Sequence, residues 1–314
     1  MFKIHTRRFG TLTEYVLSNL ETGEYLCVLP AFGGVVTQLV LRKNHQRHQL
    51  IYAPATHHQM EQNHHYESAL MYPFPSRIPG GVYTFEGKTY QLPANETARG
   101  NAMHGFVHPK VFVVENEHVS DDAATLTVAY VYSGNYDGYP FPFELRVRYQ
   151  LSAAGFAMTH AATNTAASAA PAAFGWHPYF RIDNTPTDAM QIEIPSDTVV
   201  LFDESMIPTG QGAFDRQGAF DLRDVVLDNC FVLKPASGTL ETKLSAPRHD
   251  LTVRIAQETG TGKFNFLVVY TPPSRTSVAV EPITANVNAF NSGDGLVVLQ
   301  PGETLSGVLT VALD

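Results

Sequence analysis

His177 lies in Phe174-Gly175-Trp176-His177-Pro178-Tyr179-Phe180, the stretch of the chain best supplied with chemistry. An imidazole titrates near ~6.5 when unperturbed, so it can give or take a proton at neutral pH. The flanking aromatics, Trp176 and Tyr179 among them, offer the faces on which a sugar or another flat ligand packs. Pro178 biases His177 toward an extended backbone. An isolated match of this kind reads more readily as a core histidine in an aromatic-rich strand. Two further segments tip the balance: Met103-His104-Gly105-Phe106 and Ala279-Val280-Glu281-Pro282.

In Ser277-Val278-Ala279-Val280-Glu281 the alternation places Glu281 on one face with Ser277 and Ala279. A carboxylate beside two small side chains has open volume in front of it, and Pro282 is expected to end the ladder there. His104 is followed by Gly105, which reads as a place where a ligand approaches the backbone closely. Arg77, in the Pro/Gly-rich segment 72–81, can hold a guanidinium fork toward ligand hydroxyls. Asp228, just before an apolar run, can accept hydroxyl hydrogens; either charge serves equally well as a surface ion-pair partner.

His104 and His108 lack a third metal ligand at any recognisable spacing. The pairs His57-His58 and His64-His65 are better metal candidates, although the polar segment 44–66 around them reads as a solvated surface loop. The chain is therefore expected to need neither metal nor cofactor. Gly260-Thr261-Gly262-Lys263 has the look of the end of a phosphate loop, but Phe264 stands where Ser or Thr is required. It reads as a hairpin turn.

These residues need elements to hold them, and the dominant period is two. Segment 144–151 alternates polar and apolar residues without a fault, and 125–132 and 251–256 repeat the pattern. Segment 264–270 is apolar on both faces, as in a strand buried between layers. No window of helix length shows apolar spacing of three and four, and 23 Gly and 20 Pro punctuate the chain. The prediction is an all-β fold, a large antiparallel sandwich or barrel in one domain over 1–314.

With 314 residues, 44% hydrophobic and 16% charged, a large core is available. A net charge of -9 leaves no basic footprint for nucleic acid. Cys27 and Cys230 sit in apolar runs and are expected to be buried free thiols. No signal peptide or membrane-spanning segment is apparent, so a cytoplasmic location is expected.

In their order along the chain, several segments resemble the aldose 1-epimerases, or mutarotases. They begin with Val28-Leu29-Pro30-Ala31-Phe32-Gly33-Gly34 and continue with Arg77-Ile78, Gly87-Lys88-Thr89-Tyr90-Gln91-Leu92 and His104-Gly105. Gly138-Tyr139-Pro140, His177-Pro178-Tyr179-Phe180, Leu227-Asp228-Asn229-Cys230-Phe231, Val280-Glu281-Pro282 and Leu299-Gln300-Pro301-Gly302-Glu303 complete the set. The resemblance implies a galactose-mutarotase-like β-sandwich with an open sugar cleft. It implies Glu281 as general base, His177 as general acid, and His104, Arg77 and Asp228 as contacts to a small monosaccharide. Ser76 and Trp176 depart from the pattern of many galactose mutarotases and leave the preferred aldose open. A hexose-phosphate epimerase of the same fold and a non-catalytic sugar-binding protein are the alternatives, and a monomer or homodimer is expected. A glycosidase would need Asp228 and Glu281 as its carboxylate pair.

Overall fold

The computed structural model describes residues 1–63, 65–234 and 238–314, so His64 of the histidine-rich segment lies outside the described residues. The alternation in sequence becomes alternation in burial. In the strand Phe143–Ser152, Leu145, Val147, Tyr149 and Leu151 are fully buried while Arg146 and Arg148 face water. Such a strand is stable only where one face meets a core.

Among the described residues the strands form two nine-stranded sheets, one five-stranded sheet and three two-stranded ribbons. The first large sheet runs Val113–Val119, Ala123–Tyr132, Phe143–Ser152, Gly155–Asn164, Thr304–Leu313, Leu251–Thr259, Gly238–Ala246, Gln191–Glu193, Ala219–Asp221. The second runs Pro208–Ala213, Thr198–Phe202, Asp228–Val232, Phe266–Tyr270, Val278–Ile283, Gly175–His177, Ala69–Met71. Tyr179–Phe180 joins it by pairing with both Val278–Ile283 and Ile51–Tyr52. The N-terminal strands, from Phe2–Phe9 to Gln46–Gln49, make the five-stranded sheet in chain order. Every pairing between these strands is antiparallel, and the architecture is the all-β sandwich expected.

One apolar cluster joins the sheets: Leu145 and Val147 belong to it together with Phe180, Phe231 and Val280 of the second sheet and Leu17 and Leu39 of the third. Buried tyrosines in it keep their hydroxyls bonded: Tyr149 donates to Gly34 O at 2.5 Å and Tyr139 to Pro171 O at 2.8 Å. That satisfies the polar tip of an otherwise apolar side chain. The α-helices among the described residues are His57–Glu61 and Ala289–Ser292, and no helix is long and apolar enough to cross a membrane.

Three local expectations need correction. Pro282 does not end its ladder: it pairs with Leu267 and the strand continues to Ile283. Residues 260–263 do not turn a hairpin, because Leu251–Thr259 and Phe266–Tyr270 belong to different sheets and this turn carries the chain between them. Segment 44–66 is no plain loop, since it holds strands Gln46–Gln49 and Ile51–Tyr52 and the helix His57–Glu61. Its His48 is buried, with Nδ1 2.7 Å from Asp183 Oδ2. Cys27 and Cys230 are buried free thiols as read, and burial pushes the Cys27 thiol up to about 12.

His160 is the polar group the core accommodates least well. Its ring stacks on Phe174 at 3.8 Å and meets the edge of Phe264, and neither ring nitrogen has a hydrogen-bond partner among the described residues. Burial, with Lys263 nearby, lowers its pKa from 6.5 to about 3. Above ~6.5 the ring is neutral folded or unfolded, so it adds no pH dependence. As pH falls below that, the unfolded chain binds a proton the folded one refuses, and stability drops by up to ~1.4 kcal/mol per unit. His160→Leu should therefore flatten the acid side of the stability curve. Urea midpoints measured from neutral pH downward for both proteins test it, and parallel curves would exonerate His160.

Candidate active site

The second sheet presents two different faces, and the candidate residues sort between them. Glu281 pairs with Val268, which pairs with Cys230. Two residues away, Asp228, Tyr270, Ala279 and Tyr179 form the next row. Cross-strand partners and residues two apart share a face, so Glu281, Asp228, Tyr270 and Tyr179 open on the same side. Gly175 lies opposite Ile283, which puts His177 on that side as well. Ala279, with only a methyl group, leaves room between them.

His104 and Arg77 reach the same space from a ribbon in which Arg77–Pro79 pairs with Asn101–Met103. Ser76 and His104 both have positive φ, 56° and 62°, a conformation uncommon for residues other than glycine. Two reciprocal bonds hold it: His104 N–H donates to Ser76 O at 2.9 Å, and Ser76 N–H donates to His104 Nδ1 at 3.1 Å. Because Nδ1 accepts, the neutral ring carries its proton on Nε2. Burial, then the nearby His177, Arg77 and His108, keep His104 well below its usual pKa. It is a neutral hydrogen-bond donor.

All six polar residues, His104, His177, Arg77, Asp228, Tyr179 and Glu281, line one cavity of about 270 Å³. At its floor His177 Nε2 stands 3.4 Å from Glu281 Oε1, with the two residues 5% and 3% exposed. Burial, reinforced by Asp228 and opposed by Arg77, raises the Glu281 carboxyl well above the usual range. Burial also lowers His177, with Arg77 and His65 adding to the effect against a backbone hydrogen bond. Both directions favour the uncharged forms, a carboxyl proton beside a neutral imidazole. The 3.4 Å approach favours the alternative, carboxylate with imidazolium. Burial is the dominant influence on both groups, so the uncharged pair is favoured, and a single proton satisfies it.

Arg77 is not free. Its Nε and Nη2 grip Glu96, the Nε at 3.0 Å from Oε2, and Asn101 Nδ2 and Arg99 Nη1 bond the same carboxylate. Burial alone would raise Glu96, but these donors hold it below the ordinary carboxylate range. Arg77 Nη1 has no partner among the described residues and stays available to a ligand.

Trp176 is the sequence-derived contact the structure does not bring to the cavity. Its indole is fully buried on the opposite face, against Phe156 and Phe180. Period two requires this, because neighbours in a strand point apart. The rings around His177 are Tyr179 at 5.2 Å, His104 at 5.1 Å and Tyr66 at 6.4 Å. Gly105 serves the fold and no ligand, since a Cβ there would lie 2.1 Å from Tyr72 O. His108 stacks edge-on to Tyr66, outside the cavity lining. Sequence reasoning passed over Tyr66, Tyr270 and Glu96. Tyr270 was legible as the last residue of an apolar strand; nothing marked the other two. Among the described residues no three His, Cys, Asp or Glu side chains cluster as metal ligands.

A sequence profile of the aldose 1-epimerase family matches residues 17–312, and the chain belongs to that family. It is 27% identical over 293 residues to the uncharacterised protein YihR of Escherichia coli (strain K12), covering 91% of this chain and 89% of that one. It is 28% identical over 168 residues to galactose mutarotase of Sus scrofa, about half of each chain (52% and 47%). Its fold is similar to that of a galactose mutarotase-like protein from Clostridium acetobutylicum, with a TM-score of 0.87 at 20% identity over 100% of this chain and 98% of that one.

The role of Gly105 can be checked without any assay of activity. At φ 64° and against the Tyr72 carbonyl, Gly105→Ala should cost about 2 kcal/mol of stability. An unchanged urea midpoint for this variant would show that the contact yields freely.

Proposed function

We propose that this protein is an aldose 1-epimerase acting on a free aldohexose, interconverting its α and β anomers by acid/base ring opening and closure. The observation that carries the reading is the buried 3.4 Å approach of His177 Nε2 to Glu281 Oε1 inside a cavity with three further sugar-binding groups. Anomer exchange needs one proton to leave the anomeric hydroxyl while another reaches the ring oxygen. A pair sharing one proton supplies both, and ring closure on the other face returns it.

Glu281 is the base and His177 the acid in this mechanism. Burial leaves the shared proton on Glu281, so substrate must move it. A sugar hydroxyl bonded to Asp228 offsets the charge that raises Glu281, and an anomeric hydroxyl donating to Glu281 stabilises its carboxylate. Both changes pass the proton to His177. His104 Nε2–H and Arg77 Nη1 hold sugar oxygens and move no proton. Tyr179, stacked on His177, fixes the imidazole plane. One apolar cluster shared by all three sheets supports reading 1–314 as a single domain.

Glu281→Gln keeps shape and loses the proton site, so anomer exchange followed by NMR or polarimetry should fall ~10²–10⁴-fold. Near wild-type turnover would remove Glu281 from the mechanism. His177→Asn should lower mainly kcat, whereas His104→Asn should also raise KM, because only the latter removes binding shared with the ground state. A kcat effect at His104 alone would reverse the two roles.

The working pair carries one proton. It loses that proton as pH rises through the raised Glu281 value and gains a second as pH falls through the depressed His177 value. The kcat/KM profile should thus show no acid limb near the free-imidazole value of ~6.5, the fall coming only at lower pH. An acid limb centred at ~6.5 would mean that His177 titrates as if exposed.

A further inference from the structure

A cavity of about 460 Å³, sharing no lining residue with the catalytic one, is lined by Lys43, His48, Asp183 and His249. It opens beside the hairpin that joins the strands Val35–Lys43 and Gln46–Gln49. In that hairpin Leu41 lies opposite His48 and Lys43 opposite Gln46. Lys43 and His48 are therefore diagonal neighbours on one face, ~7–8 Å apart and within reach of a long side chain. His249 comes from a separate element, the short 3-10 turn Pro247–His249 that leads into the strand Leu251–Thr259.

His48 is fixed in one orientation. It is 7% exposed, and its Nδ1 stands 2.7 Å from Asp183 Oδ2, while Asp183 Oδ1 accepts the Gln49 N–H at 2.9 Å. A carboxylate only accepts, so Nδ1 carries the proton and Nε2 is the nitrogen left for a ligand. Nε2 has no partner among the described residues and is not sealed from solvent, which turns it to the cavity. The neutral ring accepts there from an acidic hydroxyl, and the protonated ring donates to an anionic oxygen.

The uncommitted charge of the cavity is positive. Among the described residues neither Lys43 nor His249 has an ion pair or a side-chain hydrogen bond, whereas the Asp183 carboxylate is spent on His48 and Gln49. Lys43 would repel a metal ion, and no three His, Cys, Asp or Glu side chains cluster as metal ligands. An anion fits, and the imidazole selects its kind. A phosphate monoester loses its second proton at ~6, so near neutral pH that proton can lie on either side of a contact with Nε2. A sulfate has no such proton. The volume is that of a small-molecule site, well beyond the needs of a bare anion, and Pro186 and Leu251 supply apolar wall for an organic part.

We propose that this cavity binds a small phosphate monoester, its head held by Lys43, His48 Nε2 and His249 and its organic part set against Pro186 and Leu251. The site is separate from the catalytic cavity and stands whether or not the epimerase reading does. Binding there makes and breaks no covalent bond.

Isothermal titration with glycerol 3-phosphate and AMP, set against glycerol, adenosine, inorganic phosphate and sulfate, tests the site. At least one ester should bind saturably, tenfold or more tighter than its phosphate-free counterpart and tighter than inorganic phosphate; which ester leads tells a polyol from a nucleotide source. Lys43→Met and His249→Gln should each weaken it about tenfold, the loss of one charge-assisted contact. Both residues lie outside the core, and urea midpoints check that the variants fold. Saturable binding of neither ester, sulfate binding as well as the esters, or unchanged affinity in both variants would overturn the proposal. Affinity lost in Arg77→Lys but kept in Lys43→Met would also overturn it, by placing the anion in the catalytic cavity.

Discussion

A single proton buried between an imidazole and a carboxyl is the constraint on which the rest of the cleft depends. Ionising either His177 or Glu281 alone, at 5% and 3% exposure, would carry a desolvation cost of several kcal/mol. Holding one proton between them avoids that cost, since the uncharged pair is what burial favours and the charged pair is only a proton transfer away. The 3.4 Å separation keeps this exchange within reach. The arrangement demands that both side chains be dry, close and fixed in orientation. Each demand traces to a feature of the second sheet.

The strand Val278–Ile283 does two jobs with one alternation. Val278 and Val280 enter the main apolar cluster, while Ala279 and Glu281 face the cleft. The neighbouring strand divides in the same way, with Trp176 in the core and His177 in the cleft. Moving either His177 or Glu281 therefore means repacking the sandwich, which close-packed interiors resist. The position of Glu281 is thus as rigid as the fold.

The same period of two explains how much was legible in the sequence and where reading failed. Strand alternation in 144–151 predicted an all-β sandwich, and Glu281, His177, His104, Arg77 and Asp228 do converge on one cavity. Trp176 was misplaced because its neighbourhood was read as aromatic composition and its phase against His177 was ignored; Tyr179, two residues on, has the right phase. Gly105 was assigned to a ligand although its space is filled by the Tyr72 carbonyl, a contact between segments far apart in sequence. Glu96 and Tyr66 stayed hidden for the same reason. Their roles come from where the 95–103 and 65–68 segments fold back over the sheet, and no local pattern encodes that.

Glu96 also bears on why the residues proposed to hold the sugar come from a ribbon apart from the sheet. An unpaired guanidinium beside the pair would draw Glu281 toward its charged form and hold the proton off His177, since Arg77 lowers both groups. Clamped by Glu96, Arg77 keeps its Nη1 group for a hydroxyl, and its charge has a carboxylate partner beside it. His104, neutral and tied through Nδ1 to Ser76, contributes a donor with no charge at all. The proton pair is thus left tunable by the substrate itself: what changes on binding is the hydroxyl environment of Asp228 and Glu281. In the proposed mechanism the ribbon contacts hold the open chain while its carbonyl carbon rotates, and the pair, unmoved, receives it from either face.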